Sequence, residues 1–150
     1  MTLGLCLSWV CMALAAPPSL PAQAPVTRFV APPAVAAEIR TAVEAARARF
    51  EARDAAALLA NVSESYRSAG LTKAAVRQQL LAMYALYPEL RARVTVERVE
   101  LAEGRIEVFT TGNVSGRMPF VGWVTVLSWE TQPEVARREG NVWRLFGFQD

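Results

Sequence analysis

Two runs near the carboxyl end, VGWVTVLSWE (Val121 to Glu130) and NVWRLFGFQ (Asn141 to Gln149), limit what this chain can fold into more than any other feature. Side chains of a strand alternate between two faces, and in these runs Val, Leu, Trp and Phe occupy both parities. Each run is therefore apolar on both faces, and both need cover. Helices further upstream can cover one. If the two runs pair symmetrically across the charged segment Thr131 to Gly140, read as a long loop, Trp129 lies opposite Trp143 and Leu127 opposite Leu145 on one face. Val126/Phe146 and Val124/Phe148 line the other. A row made of Trp123, Leu127, Trp129, Trp143 and Leu145 is too large an apolar patch for a lone subunit, so a homodimer through this outer face is expected.

The chain has 150 residues, enough for one domain with a real core. Hydrophobic content of 53% excludes a largely disordered chain. The net charge of +2 comes from 16 basic and 14 acidic residues that are mixed along the sequence, which leaves no nucleic-acid footprint. The first 24 residues carry no charge. Leu3 to Ala16 is an apolar run closed by Pro17, Pro18 and Pro21-Ala22-Gln23-Ala24, so residues 1–24 read as a cleaved signal peptide, with a cut after Ala15 or Ala16 as an equal alternative. The run is short of the ~20 apolar residues that a membrane span needs. No stable span is expected after leader removal, and the location expected is secreted or periplasmic. Both cysteines, Cys6 and Cys11, fall inside the leader, so disulfides and thiol chemistry are not expected of the mature protein.

Residues 25–33 (PVTRFVAPP) are proline-rich and read as an extended linker, and residues 34–150 as the domain. From Ala34 the spacing is helical, with Val35, Ile39, Val43, Ala46 and Phe50 on one stripe and alternating charges opposite. Asp54 suits the cap of a short helix from Ala55 to Val62, and Thr72 that of a helix from Lys73 to Tyr87 that Pro88 stops. Glu64 to Gly70 suits a short strand or turn. Beyond Pro88 the period becomes two, with Val94, Val96, Val99 and Leu101 slipping phase at Glu97-Arg98, the mark of a β-bulge. Ala102-Glu103-Gly104 turns the chain into a second strand starting at Ile106, and a third begins at Met118 or Pro119.

This order, with the stretches FEARDAAALLA (Phe50 to Ala60), LTKAAV (Leu71 to Val76) and GNVWRL (Gly140 to Leu145), resembles the nuclear transport factor 2-like superfamily of cone-shaped domains. The resemblance implies an α+β, cystatin-like fold in which amino-terminal helices pack on a curved four-stranded antiparallel sheet. It also implies frequent dimerisation, and a pocket at the open end of the cone. Relatives such as SnoaL-like polyketide cyclases and ketosteroid isomerases place Asp, His or Tyr in that cone, which is what an enzymatic reading would require. Functions within the fold are diverse, so chemistry has to be argued from the site.

The chain contains no His, and its only aspartates are Asp54, used as a cap, and the terminal Asp150. Glu64 is the one acid in the segment where the superfamily often carries acidic residues. Glu97, Glu100, Glu103 and Glu107 are spread over a bulged strand and turn, so neither a metal nor another cofactor is expected. What remains is an apolar pocket with hydroxyl donors, expected from Phe50, Tyr66, Leu80, Tyr84 and Phe146. The function expected is a non-catalytic domain that binds a small apolar ligand or serves as an interaction or dimerisation module. The alternative is a SnoaL-like or isomerase-like enzyme, which two or more buried, converging ionisable groups would favour.

Overall fold

The computed structural model describes residues 27–148, so the expected leader lies outside the described residues. Two of the helices start where their capping side chains dictate. Asp54 accepts a hydrogen bond from the Ala57 amide at 3.0 Å and opens α2 (Ala55–Leu59). Thr72 does the same for the Ala75 amide at 3.2 Å and opens α3 (Lys73–Leu86). The long helix α1 (Pro33–Glu51) begins on Pro33, whose missing amide hydrogen costs nothing at a first helical position. Pro88 excludes a helical conformation just before it, and α3 stops at Leu86. The carbonyls freed there are met by Arg53, which donates to Tyr87 O at 2.7 Å, to Pro88 O at 3.2 Å and to Tyr84 O.

The strands are β1 (Arg28–Val30), β2 (Arg67–Ser68), β3 (Leu71–Thr72), β4 (Leu90–Ala102), β5 (Arg105–Met118), β6 (Gly122–Glu139) and β7 (Val142–Leu145). The main sheet is antiparallel with order β1-β4-β5-β6-β7, and β2 and β3 form a separate small hairpin. Five strands replace the expected four because the linker itself contributes β1, with Phe29 opposite Leu101. Its side chains and backbone hold it there. Arg28 lies 3.3 Å from Glu107 and 3.8 Å from Glu100, and the Ala31 amide donates to Val99 O at 3.0 Å. An edge position tolerates the flanking prolines, since only one side of an edge strand is hydrogen-bonded to the sheet.

A second correction concerns Thr131 to Gly140, which is strand rather than loop up to Glu139 and turns only at Gly140 and Asn141, with Gly140 at φ 62°. The apolar Val135 and Ala136 are buried, and the charged residues of this segment are distributed around them by alternation. As a result β7 pairs with the far end of β6. Leu145 is opposite Ala136 and Trp143 opposite Arg138, whereas Trp129 and Leu127 of β6 face Gly112 and Val114 of β5.

The expected slip in β4 is a register shift between Val96 and Arg98. A second shift lies beside it, where β6 carries one extra residue between Trp129 and Gln132, the partners of Gly112 and Thr110. Neighbouring bulges bend the sheet along one line. The exposed Glu97 pins that corner, accepting hydrogen bonds from the Thr131 hydroxyl at 3.1 Å and from the Thr111 hydroxyl.

The bend wraps the sheet around α1, whose stripe feeds two separate apolar clusters. Ile39 packs with Val99, Val108 and Ala136 at one end. Phe50 packs with Leu80, Tyr84, Ala92 and Val114 at the other. Burying a side chain of this size stabilises by about 1.5 to 3 kcal/mol. Between the clusters α1 offers only Val43 and Ala46, and the sheet offers Val94 and Thr110. All four line a cavity.

Candidate functional site

The cavity has a volume of about 360 Å³ and a wall that is apolar almost throughout: Val43, Ala46, Phe50 and Leu58 from the helices, and Val94, Val108, Val114, Leu127, Trp129 and Leu145 from the sheet. Polar groups enter it at few places, chiefly Thr110, Gln132 and Glu134. Arg47 also reaches the wall, but it is neutralised by Glu44 on one side and by Glu51 at 2.7 Å on the other. Trp129 lies over Gly112, where an added Cβ would come within 2.5 Å of both the indole ring and Arg93 O. Glycine is required there for the ring to lie against the strand.

Glu134 is the chemical centre of this space. Its register partner is Val108, a core residue of β5, so the pairing of β5 with β6 turns the carboxyl toward the inside. One oxygen accepts a hydrogen bond from the Tyr66 hydroxyl at 3.4 Å, and the other is buried with no partner. Burial away from water disfavours the charged form and pushes the Glu134 pKa up to about 7, against a smaller opposing effect of the Tyr66 hydrogen bond. Tyr66 is raised in turn, first by its own burial and then by the negative charge of Glu134.

The tyrosine is delivered by backbone bonds. Ser63 N donates to Leu145 O at 2.9 Å, Leu145 N to Asn61 O at 2.9 Å and Arg67 N to Phe146 O at 2.9 Å, which fasten residues 61–67 along β7 and carry Tyr66 to Glu134.

The five residues expected to line a pocket divide three ways. Phe50 lines the cavity, whereas Tyr66 is not part of its wall and hydrogen-bonds to Glu134, one of the residues that line it. Leu80 and Tyr84 pack behind Phe50, with the Tyr84 hydroxyl spent on Phe50 O at 3.0 Å. Phe146 faces the other side of the sheet: it continues the pairing one residue beyond Leu145, its amide donating to Val135 O at 2.8 Å, and it lies under the Arg137 guanidinium at 4.8 Å. Glu64 is exposed and paired with Lys73 at 2.7 Å, in a different groove.

The residues expected on a common dimer face do not share one. Leu127, Trp129 and Leu145 line the cavity, and Trp143 packs toward α1, its indole donating to Glu38 at 2.8 Å. Trp123 pairs with Arg117 on the opposite face, amid Arg91, Arg93, Asn113, Ser115 and Thr125, with Arg91 4.1 Å above its ring. The pairing across a loop that motivated the common row does not exist, because β6 continues through that segment.

Glu134 itself escaped the sequence reading, since TQPEVARREG looks like a solvated loop. The alternation Gln132, Glu134, Ala136 against Pro133, Val135 was the available signal. Among the described residues no group of three or more His, Cys, Asp or Glu could hold a metal ion, and no helix is long and apolar enough to cross a membrane.

Three helices against a curved antiparallel sheet, with a partly open cavity between the helices and the bend, are the nuclear transport factor 2-like fold. Solved structures share it. Aln2 from a Streptomyces species superposes with a TM-score of 0.62 at 13% identity, over 79% of this chain and 91% of its own. A dehydratase candidate of the NTF2-like family from Streptomyces avermitilis gives 0.60 at 14% identity, over 77% and 94%. Bd1075 from Bdellovibrio bacteriovorus gives 0.58 at 12% identity over 74% of this chain, which spans only 39% of Bd1075. No protein-family model matches the sequence, and no curated protein matches it.

Proposed function

We propose that the cone is the active site of an acid–base enzyme acting on a small, largely apolar substrate, with Glu134 as the group that takes and returns a proton. The observation that carries this reading is the buried, unpartnered oxygen of Glu134 in an apolar cavity. A carboxyl with a pKa of about 7 is near half-ionised at neutral pH, where a proton-transfer group is most effective. Tyr66 supports the ionised form by donating to it, and the absence of His is met by a carboxyl whose proton affinity burial has raised into the imidazole range. A carbon-bound proton next to a carbonyl is the kind that such a base removes, which agrees with a dehydratase candidate among the structural neighbours.

Deuterium exchange at the methyl group of 2-acetylnaphthalene, followed by NMR in heavy water, tests this without knowledge of the natural substrate. Exchange faster than with free carboxylate, rising with pH through about 7 and lost in Glu134→Gln, is the result expected. Binding of the ketone without exchange would leave the second reading, a non-catalytic binding domain. That reading is favoured by the cavity's apolar wall and few polar groups.

A further inference from the structure

We propose that the hairpin between β5 and β6 docks this protein on the surface of an anionic lipid bilayer, its tip sunk among the acyl chains and an acidic headgroup held in the groove behind it. Arg117 to Val121 are all exposed, and the turn itself is apolar. Phe120 is 109% exposed, Val121 68% and Met118 40%, and among the described residues nothing covers the phenyl ring. The backbone gives no local reason for an aromatic there. Val121 N donates to Pro119 O at 2.9 Å, a γ-turn whose central residue, Phe120, has φ 66°. A residue with a Cβ is disfavoured at that angle, which glycine or asparagine takes at lower cost. Phe120 is thus both conformationally costly and solvated, a combination that fits a side chain with a partner outside the folded chain. Leu86, 69% exposed, stands at the same end, since its neighbour Tyr87 lies against Gly116, two residues from Met118.

The region behind the tip is cationic. A groove of about 330 Å³ on the outer face of the sheet is lined by Arg91, Arg93, Asn113, Ser115, Trp123 and Thr125. Arg91 stacks on Trp123 at 4.1 Å, and among the described residues no carboxylate pairs with Arg91 or Arg93. Arg117, beside Trp123, is paired with Glu89, so two of these three guanidiniums keep their charge for a ligand. Phe120 leads Trp123 by three residues, about 10 Å of strand. Interfacial elements sink roughly 5 to 10 Å into a bilayer, so a buried phenyl ring puts Trp123 and the groove at the level of the headgroups. A phosphodiester fits there: the guanidiniums hold its charge, and the Ser115 hydroxyl and Asn113 amide supply further donors. A second protein is a poorer fit. One tight turn, with up to ~250 Å² for its aromatic, covers far less than the roughly 800 Å² per partner of a stable interface, whereas a fluid bilayer needs no complementary surface.

The test places 4-trifluoromethylphenylalanine at position 120 of the full chain and follows its fluorine resonance by NMR, which reads contact at the tip and not at the apolar amino terminus. With vesicles of phosphatidylcholine and phosphatidylglycerol, nitroxide on the acyl chains is expected to broaden the resonance, and a water-soluble nitroxide to lose its effect on it. Arg91→Gln is expected to raise the lipid concentration for half-maximal broadening about fivefold, one cation's share of the attraction to an anionic surface. Val121→Ser is expected to raise it about tenfold through lost apolar burial. Both side chains are exposed, so neither change should unfold the chain. A resonance that stays sharp with these vesicles overturns the proposal. So does one that shifts with protein concentration in the absence of lipid, which would give the tip to a second copy of this chain. Broadening that is equal with and without phosphatidylglycerol overturns it too, because the groove then takes no part.

Discussion

Tyr66 and Glu134 stand 68 residues apart in the chain and meet through one hydrogen bond of 3.4 Å, from the phenol to a carboxyl that has no other partner. The phenol comes from the segment fastened beside β7 and the carboxyl from the middle of β6. Neither residue has an obvious structural need for the other, so a change at either should be legible in the proton affinity of the pair.

Glu134 makes stability depend on pH. In the folded chain it keeps its proton up to about pH 7, and in the unfolded chain it loses it near the ordinary value of 4.5. The folded state thus binds more protons between these values, and stability falls as pH rises through that window. The full penalty is at most roughly 3 kcal/mol above pH 7. Glu134→Gln, which cannot ionise, should match the wild type near pH 4 and exceed it at pH 8 in urea denaturation. An equal difference at both pH values would show that the carboxyl is not held neutral.

Tyr66→Phe removes the donor that favours the ionised form of Glu134, so the Glu134 pKa should climb beyond about 7. Carbon-13 NMR of the carboxyl across a pH series reads this directly, and any exchange of a bound ketone should move to higher pH in step. A pKa that stays or falls would mean that the phenol does not donate to Glu134.

Gly112→Ala places a methyl group where there is none to spare, 2.5 Å from both Arg93 O and the Trp129 ring. Overpacking of this kind costs about 1 to 3 kcal/mol. The indole has to lift off the strand, so its hydrogen bond to Thr110 Oγ1 at 3.0 Å should break and tryptophan fluorescence should shift. An alanine variant with wild-type stability and emission would contradict the close approach.

Glu97→Ala unpins the sheet corner by removing the acceptor shared by the Thr111 and Thr131 hydroxyls. The expected loss is about 1 kcal/mol, since the residue is exposed and water replaces part of the interaction. Amide exchange in β6 around Thr131 should accelerate more than in β4. Uniform exchange across the sheet would show that the corner needs no such clasp.

Much of the architecture was legible in the residues. Asp54 and Thr72 announce helix starts because each supplies an acceptor for an amide that a helix leaves bare, and the slip at Glu97-Arg98 announces a bulge because alternation cannot otherwise be kept. The stripe from Val35 to Phe50 is likewise a local property of one helix, and both clusters it feeds follow from it. The edge strand at Arg28 and the centre of the site were not legible. Arg28 finds Glu107 across 79 positions, and Phe29 pairs with Leu101 only once β4 exists. Glu134 sits in a run of charged residues that local chemistry assigns to solvent. Pairing of β6 with β5 and β7 decides which of them turn inward, and distant side chains such as Val43, Phe50 and Leu58 make the inside apolar. A carboxyl's proton affinity depends on how much water surrounds it, and that is set by the packed chain as a whole, so the same glutamate is ordinary in sequence and holds its proton more tightly in the fold.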